Sequence, residues 1–381
     1  MIDRSVVRFM ERRMAPRGRP ADPAGPRAAA DPRTQLVRLA AAYGDGTLGW
    51  PSRFFPAPAA PAVALTPLGD GPLGTQVVDL SYRSDYEPFL PAARDLHLRV
   101  AENLTAHARW WTSSRGRPTI VLLHGWAGGN HWVTARTFAV AYWLRHGYDV
   151  AAFVLPFHGA RAPAGTRSGA LFPSPNPIRT NEGFGQAIFD LRGLSRFLRG
   201  RGAPVVGALG MSLGGYTAAL WASVAGPPKV TDDVTDDVTD DVTDDVTDDA
   251  AGGGIDFAVA MIPAVSMARL MWQHGEHSPE RVRAVKAGVT EDLLIDAFAV
   301  HTPTTRPARL PPERLFVIAG RGDRITPPDH AEALAAHWGV EVRWFDGGHL
   351  AQVGRGEPLR DVRRELGALG FTGRAFRAPR R

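Results

Sequence analysis

Three residues far apart in the chain, Ser212, Asp323 and His349, could share one reaction. A serine hydroxyl is a weak nucleophile until a base takes its proton and a third group orients that base. A hydroxyl, a carboxylate and an imidazole can fill those roles between them. Ser212 lies in Gly210-Met-Ser-Leu-Gly214, a Gly-x-Ser-x-Gly pentapeptide. The run before it (Val205, Val206, Ala208, Leu209) suits a buried strand, and the small-residue stretch Leu213–Val224 suits a helix. On so sharp a strand-to-helix turn the hydroxyl stands clear of the backbone, and the flanking glycines keep strand and helix from colliding. Asp323 follows an apolar strand ending at Gly320, and His349 follows the next one, in Phe345-Asp-Gly-Gly-His-Leu350. Taken singly, each has a plainer reading: Asp323 as a turn residue ahead of Pro327, His349 as one of twelve histidines. Asp346 is a rival acid, but it lies three residues before the histidine on the same strand end, so the separate strand that carries Asp323 is preferred.

Acyl chemistry at a serine also needs two backbone N–H donors for the negative charge that develops on the carbonyl oxygen. Leu213, directly after the serine, is one candidate. Trp126, in the loop His124-Gly-Trp-Ala-Gly-Gly129 after the strand ending at Leu123, is the other. His124 is expected to buttress that loop. His158, in Pro156-Phe-His-Gly-Ala-Arg161, either lines the site or forms a structural turn, the second being the commoner role.

The elements that must position these residues alternate along the chain. Strands are expected at 75–82, 107–112, 117–123, 148–155, 204–210, 256–262, 314–320 and 340–345, with helices near 131–146, 182–199, 213–224, 328–338 and 357–369. The pattern implies a mostly parallel central sheet with helices on both faces. Residues 34–75, dense in Pro and Gly, are expected to wrap the core without much regular structure. Residues 1–14 set Ile2, Val6, Met10 and Met14 at helical spacing among arginines. Such a helix either docks on the protein's own body or makes peripheral contact with a membrane, and docking is favoured. Residues 15–33 read as a Pro/Ala/Arg-rich linker and 372–381 as a basic tail. Thr231-Asp-Asp-Val recurs through residue 250 and runs into Gly252-Gly-Gly254. This acidic insert at 231–254 is expected to be a disordered loop rather than a calcium site, because it lacks the turn glycines of a rigid cage.

At 381 residues, with 44% hydrophobic and 22% charged residues, the chain reads as one α/β domain over 34–371 with appendages. The absence of cysteine excludes disulfides, a thiol nucleophile and thiolate metal sites. Ten aspartates of the insert mask a charge of +15 on the rest of the chain, where the net total is +5. The arginines are scattered and form no nucleic-acid motif, so no nucleic-acid partner is expected. No window is long and apolar enough to span a membrane, and the first residues lack the apolar core of a signal peptide, so a cytoplasmic location is expected.

The His124-Gly, Gly-x-Ser-x-Gly, Asp323 and His349 constellation resembles the α/β-hydrolase superfamily, in its serine esterase and lipase branch, over about residues 76–371 with the insert excluded. That resemblance implies an α/β-hydrolase fold. It makes Ser212 the nucleophile, His349 the general base and acid, and Asp323 its orienting partner, with Trp126 and Leu213 forming the oxyanion hole. It implies a carboxylic ester hydrolase acting on a small-molecule or lipid-like ester through an acyl-enzyme, with no metal and no organic cofactor. It also implies a cap at 264–311, where Met267 and Met271 either offer an apolar wall for an acyl chain or serve ordinary helix packing. The His-Gly-Trp loop differs from the triple glycine of one esterase group, so that group's substrates are not implied. Two alternatives stand beside this reading: an acyltransferase with the same triad, and a non-catalytic binding protein on the same fold.

Overall fold

The computed structural model describes residues 31–113, 116–174, 176–228, 253–276 and 278–373. The helix expected at 1–14, the linker up to residue 30, the acidic insert up to residue 252 and the tail from residue 374 lie outside the described residues.

Among the described residues the strands are β1 (Ala64–Asp70), β2 (Gln76–Arg83), β3 (Thr105–Thr112), β4 (Thr119–Leu123), β5 (Asp149–Phe153), β6 (Val206–Met211), β7 (Phe257–Met261), β8 (Leu315–Gly320) and β9 (Val342–Phe345). They form one sheet in the order β1-β2-β3-β5-β4-β6-β7-β8-β9. β1, β2 and β3 are an antiparallel meander at one edge, and β3 joins β5 antiparallel. From β5 to β9 every pairing is parallel. Parallel strands must return over a face of the sheet, and here those returns are helices.

In chain order the helices are α1 (Pro32–Gly44), α2 (Arg94–Leu98), α3 (His131–Thr137), α4 (Val140–Arg145), α5 (Pro177–Gly200), α6 (Leu213–Val224), α7 (Met267–His274), α8 (Pro279–Lys286), α9 (Glu291–Phe298), α10 (Pro328–Trp338) and α11 (Gly356–Ala368). The period-2 alternation of the strands sorts the core onto two faces. Val121, Leu123, Val317 and Ala319 pack with Leu191 of α5, Leu220 of α6 and Leu334 of α10. Ile120, Leu122, Phe316 and Ile318 pack with Trp143 of α4 and Val362 of α11. This is the mostly parallel sheet with helices on both faces that the alternating pattern implies.

The structure corrects two expectations. The helix expected over 131–146 is two helices, broken where Ala139 turns left-handed (φ 51°). Nothing in alanine's high helix propensity marks that break. The stretch 34–75 is also more regular than expected. Asp31 caps α1 by accepting the Thr34 amide at 3.2 Å, and Pro32 occupies the first turn, where its missing N–H costs nothing. β1 tolerates Pro67 because it is the sheet's edge strand, with an irregular register between Pro67 and Gly69.

Candidate active site

The pentapeptide forms the turn between β6 and α6. Ser212 sits at φ 57°, ψ −116°, outside the ordinary basins for a residue with a β-carbon. Strain of this kind costs about 1–3 kcal/mol and persists only where the surroundings enforce it. Here they do. A methyl group on Gly210 would overlap the Gly214 carbonyl, and one on Gly214 would overlap the Leu123 carbonyl, so strand, turn and helix are pressed together at both glycines. The Ser212 amide donates to the Met261 carbonyl at 2.9 Å, which ties the turn to the end of β7. Left-handed residues gather at this edge: Ala127 (φ 63°), Phe157 (φ 59°), Ser212 and Ile262 (φ 41°) lie just past the ends of β4, β5, β6 and β7.

Asp323 and His349 meet at the same edge, past β8 and β9. His349 Nδ1 lies 2.8 Å from Asp323 Oδ2, and both residues are buried. The carboxylate is held before the histidine reaches it. Its Oδ1 accepts the Ile325 and Thr326 amides, each at 2.9 Å, and Oδ2 also accepts from the Thr326 hydroxyl at 3.0 Å. A carboxylate locked by its own loop gives the imidazole a fixed point. The loops carrying acid and base approach closely: the Arg321 amide donates to the Phe345 carbonyl at 2.9 Å, and a β-carbon on Gly320 would stand 2.5 Å from the Gly347 carbonyl. Asp346, the rival acid, points to solvent with its side chain 92% exposed, 4.0 Å from Arg321.

Two residues that sequence reasoning missed complete this arrangement. Thr326 Oγ1 lies 3.1 Å from the Ile262 carbonyl and 3.1 Å from His349 Nδ1, so one hydroxyl joins acid, base and the end of β7. Its spacing three residues after Asp323 and just before Pro327 is the local signal that could have revealed it. Gln352 Nε2 donates to the His349 carbonyl at 2.8 Å and contacts Met211 Sδ at 3.1 Å, which holds the histidine loop against the residue preceding Ser212. No local pattern announces that contact.

The loop 124–129 lies on the other side of the serine. A β-carbon on Gly125 would stand 3.5 Å from Ser212 Cβ. Trp126 follows that contact in the chain, and Leu213, directly after Ser212, opens α6, where amides have no partner inside the helix. His124 buttresses the loop as expected. Its Nε2 accepts the Leu155 amide at 3.1 Å, so Nδ1 carries the proton and donates to the Gly125 carbonyl at 2.8 Å. Burial pushes His124 down to about 4 and holds it neutral.

The remaining sequence candidates lie deeper. His158 is fully buried beside His124, its ring centroid 4.9 Å away, with Nδ1 2.8 Å from the Pro156 carbonyl, and burial pushes it down to about 3. That is the setting of a structural turn. Met267 is buried in the main core and Met271 packs half-buried against it, on α7. Between β7 and β8 the chain forms α7, α8 and α9, and α9 packs on α1 and α7. Among the described residues no helix is long and apolar enough to cross a membrane.

A family model described as the alpha/beta hydrolase family matches residues 120–362, from within β4 to within α11. The chain belongs to the alpha/beta hydrolase family. It is similar to an uncharacterized protein of Mycobacterium tuberculosis, 27% identical over 241 residues, which are 61% of this chain and 50% of that protein. The chain thus spans about half the length of the curated relatives it matches. Among solved structures it is similar to acetyl xylan esterase 1 from Thermoanaerobacterium sp. JW/SL YS485, at 13% identity and a TM-score of 0.47, over 89% of this chain and 94% of that one. It is also similar to an esterase of Pyrococcus furiosus, at 17% identity and a TM-score of 0.42, over 69% and 87%.

Proposed function

We propose that this alpha/beta hydrolase cleaves small-molecule or lipid-like carboxylic esters through Ser212, His349 and Asp323. The observation that carries the reading is the 2.8 Å contact between His349 Nδ1 and a buried, pre-held Asp323, at the sheet edge that bears the strained Ser212 turn.

With Nδ1 engaged by Asp323, proton traffic falls to His349 Nε2. The Ser212 hydroxyl attacks the ester carbonyl while Nε2 takes its proton, and the negative oxygen rests on the Trp126 and Leu213 amides. The imidazolium returns the proton to the departing alkoxide, which leaves as the alcohol. Water, deprotonated by the same imidazole, then attacks the acyl-serine, and collapse releases the carboxylic acid and restores the hydroxyl. Asp323 stabilises the imidazolium without taking the proton.

The test is labelling by a fluorophosphonate probe, followed by turnover of acyl esters of increasing chain length. Wild type should label and turn over, whereas Ser212→Ala should do neither beyond a small residue from binding and the amide donors. Turnover by Ser212→Ala at the wild-type rate would refute the assignment. Product analysis with an added alcohol or amine separates hydrolysis from acyl transfer.

A further inference from the structure

The loop proposed to hold the oxyanion is clasped by a neighbour that the triad does not use. Gly125–Gly128 is a tight turn closed by the Gly128 amide on the Gly125 carbonyl at 3.0 Å. Ala127 occupies its third position at φ 63°, where turns of this kind reserve a place for glycine because a β-carbon is strained there. The turn is therefore not self-sufficient. The segment between β5 and α5 supplies the restraint at two points. The Ser168 hydroxyl donates to the Gly128 carbonyl and accepts the Gly159 amide at 2.9 Å, so both its hydrogen-bonding roles are spent on joining two loops. One residue on, the Gly169 carbonyl accepts the Trp126 indole N–H at 2.8 Å. Gly129 and Gly159 pack backbone to backbone beneath, where a β-carbon on Gly129 would stand 2.8 Å from the Gly159 amide nitrogen.

Resting on the reading above, we infer that Ser168, with the Gly169 carbonyl, is a positioning residue for the oxyanion hole, holding a strained turn so that the Trp126 amide stays aimed at the transition-state oxygen. Ser168 touches no reacting atom. Its effect falls on kcat rather than KM, because a donor aimed at the oxyanion binds the transition state and not the ground-state ester.

The experiment measures kcat, KM and melting temperature on a p-nitrophenyl ester for wild type, Ser168→Ala, Ser168→Thr, Trp126→Phe and the double variant Ser168→Ala/Ala127→Gly. Ser168→Ala should lower kcat about tenfold to a hundredfold, the range expected when a catalytic donor is misplaced rather than deleted, with KM within about twofold. Ser168→Thr, which keeps the hydroxyl, should retain most of the rate. Ala127→Gly should recover part of the loss, because glycine adopts the turn without strain. If Ser168→Ala fails to fold, Trp126→Phe carries the same test through the indole donor and should show the same kcat loss. Wild-type kcat in Ser168→Ala, or in Trp126→Phe where Ser168→Ala does not fold, overturns the inference, as does a Ser168→Ala loss that Ala127→Gly leaves untouched. A wild-type protein that neither labels with fluorophosphonate nor cleaves the ester sinks the triad reading. A labelled, active wild type with an unaffected Ser168→Ala sinks the clasp alone.

Discussion

Two carboxylates in this molecule are nearly equally buried and equally well bonded, yet they stand in different chemistry. Asp323 is 4% exposed and collects four hydrogen bonds, one of them with an imidazole. Glu182, on α5, is 5% exposed and also collects four: from the Tyr43 and Tyr86 hydroxyls at 2.7 Å each, the Phe89 amide at 2.9 Å and the Leu90 amide at 3.1 Å. Each partner of Glu182 belongs to α1 or to the segment after β2, so this carboxylate pins the N-terminal wrap to the body. Burial raises its pKa, against the pull of its donors, and burial beside it raises both tyrosines too, so no partner changes charge in the working pH range. Burial and bond count do not mark a functional acid. In the proposed reaction, what sets Asp323 apart is its imidazole partner, His349.

The sharpest way to break this contrast is Asp323→Asn. An amide of the same shape keeps most of the local bonds but favours the wrong imidazole tautomer, so kcat on a short-chain ester should fall by about 10⁴-fold. The protein should stay folded by near-ultraviolet circular dichroism. Retained activity would strip Asp323 of its distinction.

Acid should act oppositely on the two regions. In the unfolded chain a histidine titrates near pH 6.5, while folding holds His124 at about 4 and His158 at about 3. Between those values the unfolded chain takes up protons that the folded one refuses. Their contribution is therefore complete above about pH 6.5 and is lost as pH falls toward the folded values, at about 1.4 kcal/mol per pH unit for each such proton. Glu182 runs the other way: its folded pKa is raised, so its contribution is greatest at low pH and fades as pH climbs through that value. Hydrogen exchange at pH 7 and pH 5 should show protection falling in 124–130 and 155–159, where the ring centroids of two such histidines lie 4.9 Å apart, before it falls at the Glu182 joint. There His97, beside Tyr86 and also held down to about 4 by burial, is offset by the carboxylate. Uniform loss across both regions would erase the difference.

Glu182→Gln tests the architectural side. Its NH₂ group would face a donor that had an acceptor, leaving a buried clash worth about 1–3 kcal/mol of stability by denaturant unfolding. Turnover per folded molecule should stay near wild type. A kcat loss on the scale of Asp323→Asn would mean that the two carboxylates are not separate in role.

How much of this was legible in the chain follows from how local each signal is. The Ser212 turn could be read because its steric demand falls on Gly210 and Gly214, within two residues. Asp323 and His349 could be read because each lies just past an apolar strand run, and a parallel sheet brings such ends to one edge. The Glu182, Gln186 and Asp190 stripe was not, because helical spacing drew attention to Phe184, Ile188 and Leu191, whereas α5 is buried nearly all round. Its polar face is satisfied by partners about a hundred residues away, such as the Ser84 hydroxyl on Asp190 at 2.6 Å. The Ser168 clasp and the Gln352–Met211 contact are hidden for the same reason. α1 and β1 were legible in principle: Asp31-Pro32 is a helix start, but the density of proline around it reads as disruption when composition is weighed before position.

The smallest expected effect separates two aspartates that sequence alone leaves as rivals. Asp346 stands three residues before His349, yet its side chain is 92% exposed and among the described residues its ion-pair partner is Arg321 at 4.0 Å. An exposed charge at that separation is screened by water and salt and holds nothing in place. Asp346→Asn should therefore leave kcat within about twofold of wild type and the melting temperature unchanged, measured beside Asp323→Asn on the same ester. The reverse pattern, a collapse of rate at 346 with 323 spared, would mean that His349 turns its ring to the carboxylate of its own loop during turnover. Nearness in sequence would then have outranked the pre-held carboxylate. Burial argues against it, since Asp323 is buried and held by its own loop whereas Asp346 is exposed.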